Sequence, residues 1–268
     1  MVKAYFRPKS AHEALALLTS EENAVLLAGG TYLMTSQFAS RPMKAIAISD
    51  LAPKSIERRG NTIAIGAGVT FQELADSEAL PEALRNAALG MADRNIRNRA
   101  TVGGNIGADK SCSSLLPFFL VANARYSRFS APPLSAADWQ AAASAVERGF
   151  IATIEFEAPA SRRFAYGKYS RTSCDLAVIT CAASAEPEGK GLRGLRIAMG
   201  GLSPHARRFP EIESLFNAAS LPSKAEIEAL VSPLFTPSGD ARGSSGFKRL
   251  RAAALLADVL VSLEEGGL

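Results

Sequence analysis

Two short stretches carry residue types that could grip an anion. Ala28-Gly29-Gly30-Thr31 and Thr101-Val102-Gly103-Gly104-Asn105 each set a Gly–Gly pair beside a threonine. Glycine lacks a side chain, so its backbone N–H can approach a bulky anion and can adopt positive φ. Successive N–H groups in such turns form anion-binding concavities. A helix opening at Thr31 would add the pull of its N-terminal dipole. The side chains of Thr31, Thr101 and Asn105 can add hydrogen bonds, and two such turns could hold one pyrophosphate from two sides. A Gly–Gly pair taken alone is more often an ordinary turn. The competing nucleotide motifs are missing, since no GxGxxG opens a βαβ unit and no GxxxxGK[ST] occurs. A Rossmann site and a P-loop are both disfavoured.

The elements that would position these stretches follow from hydrophobic periodicity. Residues 1–52 read as a first unit: a strand over Lys3 to Phe6, then a helix capped by Ser10 and Glu13 as a capping box. Buried strands follow at Ala24 to Leu27 and Ala45 to Ile48, with a helix expected from Thr31 between them. Alternation of strand and helix predicts a small parallel α/β unit. Residues 53–160 read as a second unit, with a strand over Thr62 to Gly66 and a capping box at Thr70 and Glu73. Helices are expected near Leu80 to Leu89 and over Leu115 to Ala122, an irregular connection with some helix over 130–148, and a strand over Phe150 to Phe156. Residues 161–268 read as a third unit. Strands at Ala177 to Ala183 and Arg196 to Gly200 belong to an antiparallel sheet. A helix is capped by Ser223 and Glu226, and a last helix runs over Ser244 to Glu264 with an apolar stripe that reads as core. The fold class is α+β.

Composition bounds the function. The chain has 268 residues, 47% of them hydrophobic, enough for a sizeable core. No apolar run reaches the roughly 18 residues a membrane helix needs, and the N-terminus does not resemble a signal peptide. A cytoplasmic location is expected. Three cysteines, Cys112, Cys174 and Cys181, form no CxxC pair, so no metal cluster is expected on this chain. Two histidines are too few for a zinc site at usual spacing. The net charge of +4 is mild and scattered. It suits an anionic ligand, and no motif supports nucleic acid.

Order and context sharpen the reading. Ile96-Arg97-Asn98-Arg99-Ala100-Thr101-Val102-Gly103-Gly104-Asn105-Ile106 resembles the second FAD-binding motif in the flavoprotein subunits of molybdenum hydroxylases, the xanthine dehydrogenase and carbon monoxide dehydrogenase family. Leu27-Ala28-Gly29-Gly30-Thr31-Tyr32-Leu33 looks like that family's first flavin motif. Ile63 to Thr70, Lys168 to Ala177, Ala198 to Pro204 and Asp240 to Ser245 resemble further segments in the same order. The resemblance implies two subdomains holding FAD between them, followed by a C-terminal antiparallel sheet with helices. It implies non-covalent FAD held by Leu27, Ala28, Gly29, Gly30, Thr31, Tyr32 and Leu33, and by Ala100, Thr101, Gly103, Gly104 and Asn105. It also implies an iron–sulfur subunit and a molybdenum-cofactor subunit as partners, and a terminal acceptor such as NAD.

Departures and lesser candidates complete the expectations. Many relatives carry an Asp where this chain has Ser114, and Tyr32 is larger than the residue expected in the first turn. Tyr166 is a candidate to pack on the isoalloxazine, or else a core aromatic. Lys168 could stabilise charge on reduced flavin, or else be solvated. Arg97 is expected to hold the second loop through a carboxylate or carbonyl, Asp175 to anchor a turn, and Cys174 and Cys181 to be buried. No catalytic side chain is assigned. The function expected is electron transfer within a molybdenum hydroxylase. A self-sufficient FAD-dependent reductase of the same broad fold is the alternative, and a scaffold with a decayed flavin site is a third reading.

Overall fold

The computed structural model describes residues 1–266 other than 39, 143, 190, 218 and 219. The first sheet is wholly parallel, in the order β1-β3-β2, with β1 at Val2–Phe6, β2 at Ala24–Leu27 and β3 at Met43–Ala47. The helix Ala11–Ser20 packs on it through Ala14 and Leu18. Ser10 caps this helix by accepting from the Glu13 N–H at 3.1 Å, but the Glu13 carboxylate takes the Lys9 N–H instead of closing the expected box.

The second sheet is antiparallel, in the order β4-β5-β8-β6-β7. Its strands are β4 Ile56–Arg59, β5 Thr62–Gly66, β6 Arg125–Arg128, β7 Ala131–Ser135 and β8 Ile151–Glu157. Between β5 and β6 lie the helices Phe71–Asp76, Glu82–Leu89, Val102–Ala108 and Leu116–Val121. The Thr70–Glu73 capping box is complete here. The stretch 130–148, expected to be an irregular connection with some helix, holds the helices Ala136–Ala141 and Ala145–Arg148 and, unexpectedly, strand β7. Pro132 and Pro133 lie within β7, which is tolerated because that strand is at the sheet edge.

The third sheet is antiparallel, in the order β12-β11-β10-β9, with β9 at Arg163–Tyr169, β10 at Ile179–Glu188, β11 at Gly191–Gly200 and β12 at Arg207–Arg208. The helix Ser245–Glu265 covers β9 and β10 with Ala252, Leu256, Val259 and Leu260, all buried. Gly189, Gly191 and Gly194 have GxGxxG spacing, but they sit in the β10–β11 hairpin and open no helix.

The cores interlock. The large central cluster is built mainly on the second sheet and also takes in Phe164, Ala182 and Ala198 from the third. The N-terminal cluster takes Phe150 from the chain just before β8. Such shared apolar packing fixes the sheets against one another. Among the described residues no helix is long and apolar enough to cross a membrane.

Candidate functional site

The first glycine stretch leaves β2 as a turn. The Met34 N–H bonds the Gly30 carbonyl at 3.0 Å, a single helical turn, and only the 3₁₀ segment Ser36–Phe38 follows. The helix expected from Thr31 is therefore absent, because Ser36 and the residues after it do not continue the i to i+4 ladder. Gly30 has φ of +74°, a conformation that suits glycine. The backbone N–H groups of Gly29, Gly30, Thr31, Tyr32 and Leu33 donate to no described residue. Five consecutive amides, part-exposed and at the start of a helical turn, are thereby left for water or a ligand to satisfy. Leu27 and Ala28 play a supporting part: their carbonyls accept from the Ile48 N–H at 2.9 Å and from Ser49 Oγ at 3.3 Å.

The second glycine stretch is not a turn but the start of the helix Val102–Ala108. Its first N–H groups are already taken. Val102 donates to the Val69 carbonyl and Gly103 to the Ala67 carbonyl, both at 2.9 Å, and Gly104 donates to Thr101 Oγ1 at 3.1 Å. The expectation that this stretch offers a row of free amides to a pyrophosphate is thus corrected. Gly103 is needed for packing instead, because a Cβ there would lie 2.8 Å from the Ala67 Cβ. Gly104 and Gly107 are exposed and helical; a Cβ on Gly107 would meet nothing within 4 Å. Asn105 Oδ1 accepts from Ser113 Oγ at 2.5 Å, which ties the helix to the loop that follows.

The two stretches meet. A Cβ on Gly29 would lie 1.7 Å from the Arg99 carbonyl oxygen, so the first turn rests directly on the backbone that leads into the second. The Arg99 guanidinium also reaches the Gly29 carbonyl through two long contacts of 3.4 Å. Buried Ala100 gives its carbonyl to the Phe71 N–H, and Thr101 bridges to Thr70, so this junction is held from below. Arg97 grips the carbonyls of Leu89, Met91 and Ala92, as expected of a loop anchor. At the far end, Lys110 Nζ lies 4.6 Å from the centroid of the Tyr32 ring.

A second grouping lies on the third sheet. Ser114 is buried in the loop after the glycine helix and faces Tyr166 of β9. The Tyr166 ring packs against the central core, and its buried hydroxyl has no partner in hydrogen-bond geometry; burial raises the phenol's pKa, an effect that Ser114 partly offsets. Lys168 is neither solvated nor free. Its ammonium donates to the carbonyls of Gly90, Ser173 and Asp175 at 2.7, 3.2 and 2.8 Å, which uses all three N–H donors. Burial lowers its pKa, with the nearby Cys174 and Asp175 acting against that. Asp175 anchors its turn as expected, but Cys174 is exposed, not buried; only Cys181 is enclosed. Lys110 escaped the sequence reading, since nothing in the spacing of Lys110 and Tyr32 announces their contact.

FAD fits these residues. The unpaired amides around Gly30 are the kind of donor row that binds a diphosphate. The helix that follows their Arg99–Ala100 seat carries Gly104 and Gly107 as exposed positions without side chains.

Residues 1–131 match the family described as the FAD binding domain in molybdopterin dehydrogenase, and residues 164–263 match the CO dehydrogenase flavoprotein C-terminal domain. An uncharacterized Escherichia coli K12 protein, YgfM, is 31% identical over 268 residues, spanning 100% of this chain and 98% of the relative. The carbon monoxide dehydrogenase medium chain of Hydrogenophaga pseudoflava is 28% identical over 283 residues, covering 94% of this chain and 93% of the relative. A solved carbon monoxide dehydrogenase from that organism superimposes with a TM-score of 0.86 at 26% identity, over 97% of this chain and 96% of the other.

Proposed function

Because the chain belongs to the family of FAD-binding subunits of molybdenum hydroxylases, we propose that it is the flavin-bearing member of a cytoplasmic complex. In this reading it takes electrons from an iron–sulfur subunit, which takes them from a molybdenum-cofactor subunit, and delivers them to a terminal acceptor such as NAD. The chain is an oxidoreductase subunit with FAD as its cofactor. FAD, when bound, exchanges electrons singly or in pairs, which is what links one-electron clusters to a two-electron acceptor.

The observation that carries the assignment is the run of unpaired N–H groups from Gly29 to Leu33, seated on the Arg99–Ala100 backbone. These amides would hold the diphosphate without a covalent link. Thr101 fixes the first turn of the glycine helix, so its bare face would be presented in one orientation. Asn105 and Ser113 tie that helix to the Ser114 loop, and Tyr166 would bound the flavin side of the site. Lys168 staples the 173–175 loop to Gly90 and acts as a positioning residue.

Support for partners comes from relatives whose names are those of medium chains and FAD-binding subunits of dehydrogenases. The test is capture of the tagged chain from its native host. An iron–sulfur protein and a large molybdenum-containing protein should come with it, with flavin, iron and molybdenum in the purified material. Full substrate turnover by this chain alone would instead assign it as a self-sufficient reductase.

A further inference from the structure

We propose that Lys110 is a cofactor-binding residue whose ammonium neutralises the diphosphate of FAD. This rests on the reading of the Gly29–Leu33 amides as the diphosphate cradle. The argument begins with the residue before it. Asp109 ends the glycine helix in the left-handed conformation, with φ of +44°. Its side chain is buried, and one carboxylate oxygen meets Arg148 Nη2 and His205 Nδ1, both at 2.9 Å. That anchor holds the turn from two other elements and sends the next side chain outward. Lys110 is exposed as a result, and its ammonium stands over the Tyr32 ring.

Three observations then converge on one spot. Tyr32 is itself a member of the unpaired amide run, so the cation packs on the side chain of a residue whose own N–H is one of the free donors. No carboxylate among the described residues forms an ion pair with Lys110, whereas the nearest acid in the chain, Asp109, is turned inward and spent on Arg148 and His205. Packing on a ring face also leaves ammonium N–H groups pointing away from the ring, available to an oxygen anion. Unpaired backbone donors and an unpaired cation are what a phosphate group requires.

The alternative role is structural: Lys110 could do no more than cover Tyr32. The two roles separate by ligand. Riboflavin carries the isoalloxazine but no phosphate. The flavin-free chain would be titrated with FAD and with riboflavin, following flavin fluorescence. Lys110→Met should weaken FAD by about tenfold, the worth of one charge-assisted hydrogen bond at the low end of its range, and leave riboflavin unchanged. Lys110→Arg should restore most of the FAD affinity. Because the ammonium is exposed, FAD binding by the parent should weaken with added salt more steeply than binding by Lys110→Met. This second arm decides the matter even where riboflavin binds too weakly to titrate. Equal losses for both ligands, or an unchanged FAD affinity with an unchanged salt slope, would overturn the proposal. A parent chain that takes up no FAD would overturn the cradle reading itself.

Discussion

Gly29 and the Arg99 carbonyl oxygen are so close that a Cβ on the glycine would stand 1.7 Å from the oxygen. The first loop of the site is thereby registered on the backbone of the second, although the two are far apart in sequence. Gly29→Ala must push the turn off its seat, because a backbone carbonyl cannot swing aside as a side-chain tip can. We expect the variant to stay folded by circular dichroism. It should lose between about tenfold and ten-thousandfold in FAD affinity, the result of misplacing one or two charge-assisted N–H contacts at roughly 1.5–3 kcal/mol each. Parent-like affinity would mean that this turn does not hold the cofactor.

Gly107 makes the opposite prediction. It is exposed, lies inside a helix without positive φ, and has open space where a Cβ would go. Gly107→Ala should stabilise the chain by about 0.5–1 kcal/mol, since glycine carries an entropic cost within a helix. Thermal unfolding measures this. A lowered melting temperature would show that the helix face is packed in a way the geometry does not provide.

Lys168 should behave as a staple. Lys168→Met removes three hydrogen bonds to carbonyls that are partly open to water. A loss of roughly 1–2 kcal/mol in stability is expected, with faster proteolysis between Ser170 and Leu176. FAD affinity should fall less than in Gly29→Ala. A large loss of affinity with unchanged stability would instead assign Lys168 to the flavin.

Asp240 gives a pH signature. Burial pushes its carboxyl up, but hydrogen bonds from Arg242 and Lys248 outweigh burial and hold it well below the usual carboxylate range. A depressed folded pKa contributes stability above the unfolded value, about 3.9, and loses it as pH falls through the folded value. The difference in melting temperature between the parent and Asp240→Asn should therefore be full at neutral pH and shrink below about pH 4. A difference that grows on acidification would contradict the ion cluster.

The parallel first sheet, the two central strands of the antiparallel third sheet and the last helix were legible from their apolar runs, whereas the edge strands β9 and β12 were not. The glycine stretches were legible as a site, but not in their forms. Thr101 both follows a turn and caps a helix, and the sequence does not say which N–H groups tertiary carbonyls at Ala67 and Val69 will occupy. The helix expected at Thr31 failed because one turn closes on Gly30 and the ladder then stops. Strand β7 was missed because Pro132 and Pro133 read as breakers, and only the sheet order reveals that they stand at an edge. Lys168 looked like a solvated or flavin-facing cation because its three partners are backbone carbonyls, which no side-chain pattern announces.

The most direct test is titration of FAD into the isotope-labelled, flavin-free chain, following backbone amide resonances. Saturable binding with the largest shifts at Gly29, Gly30, Thr31, Tyr32 and Leu33 is the predicted result. Binding that leaves those five amides unmoved, or no binding at all, would contradict the account.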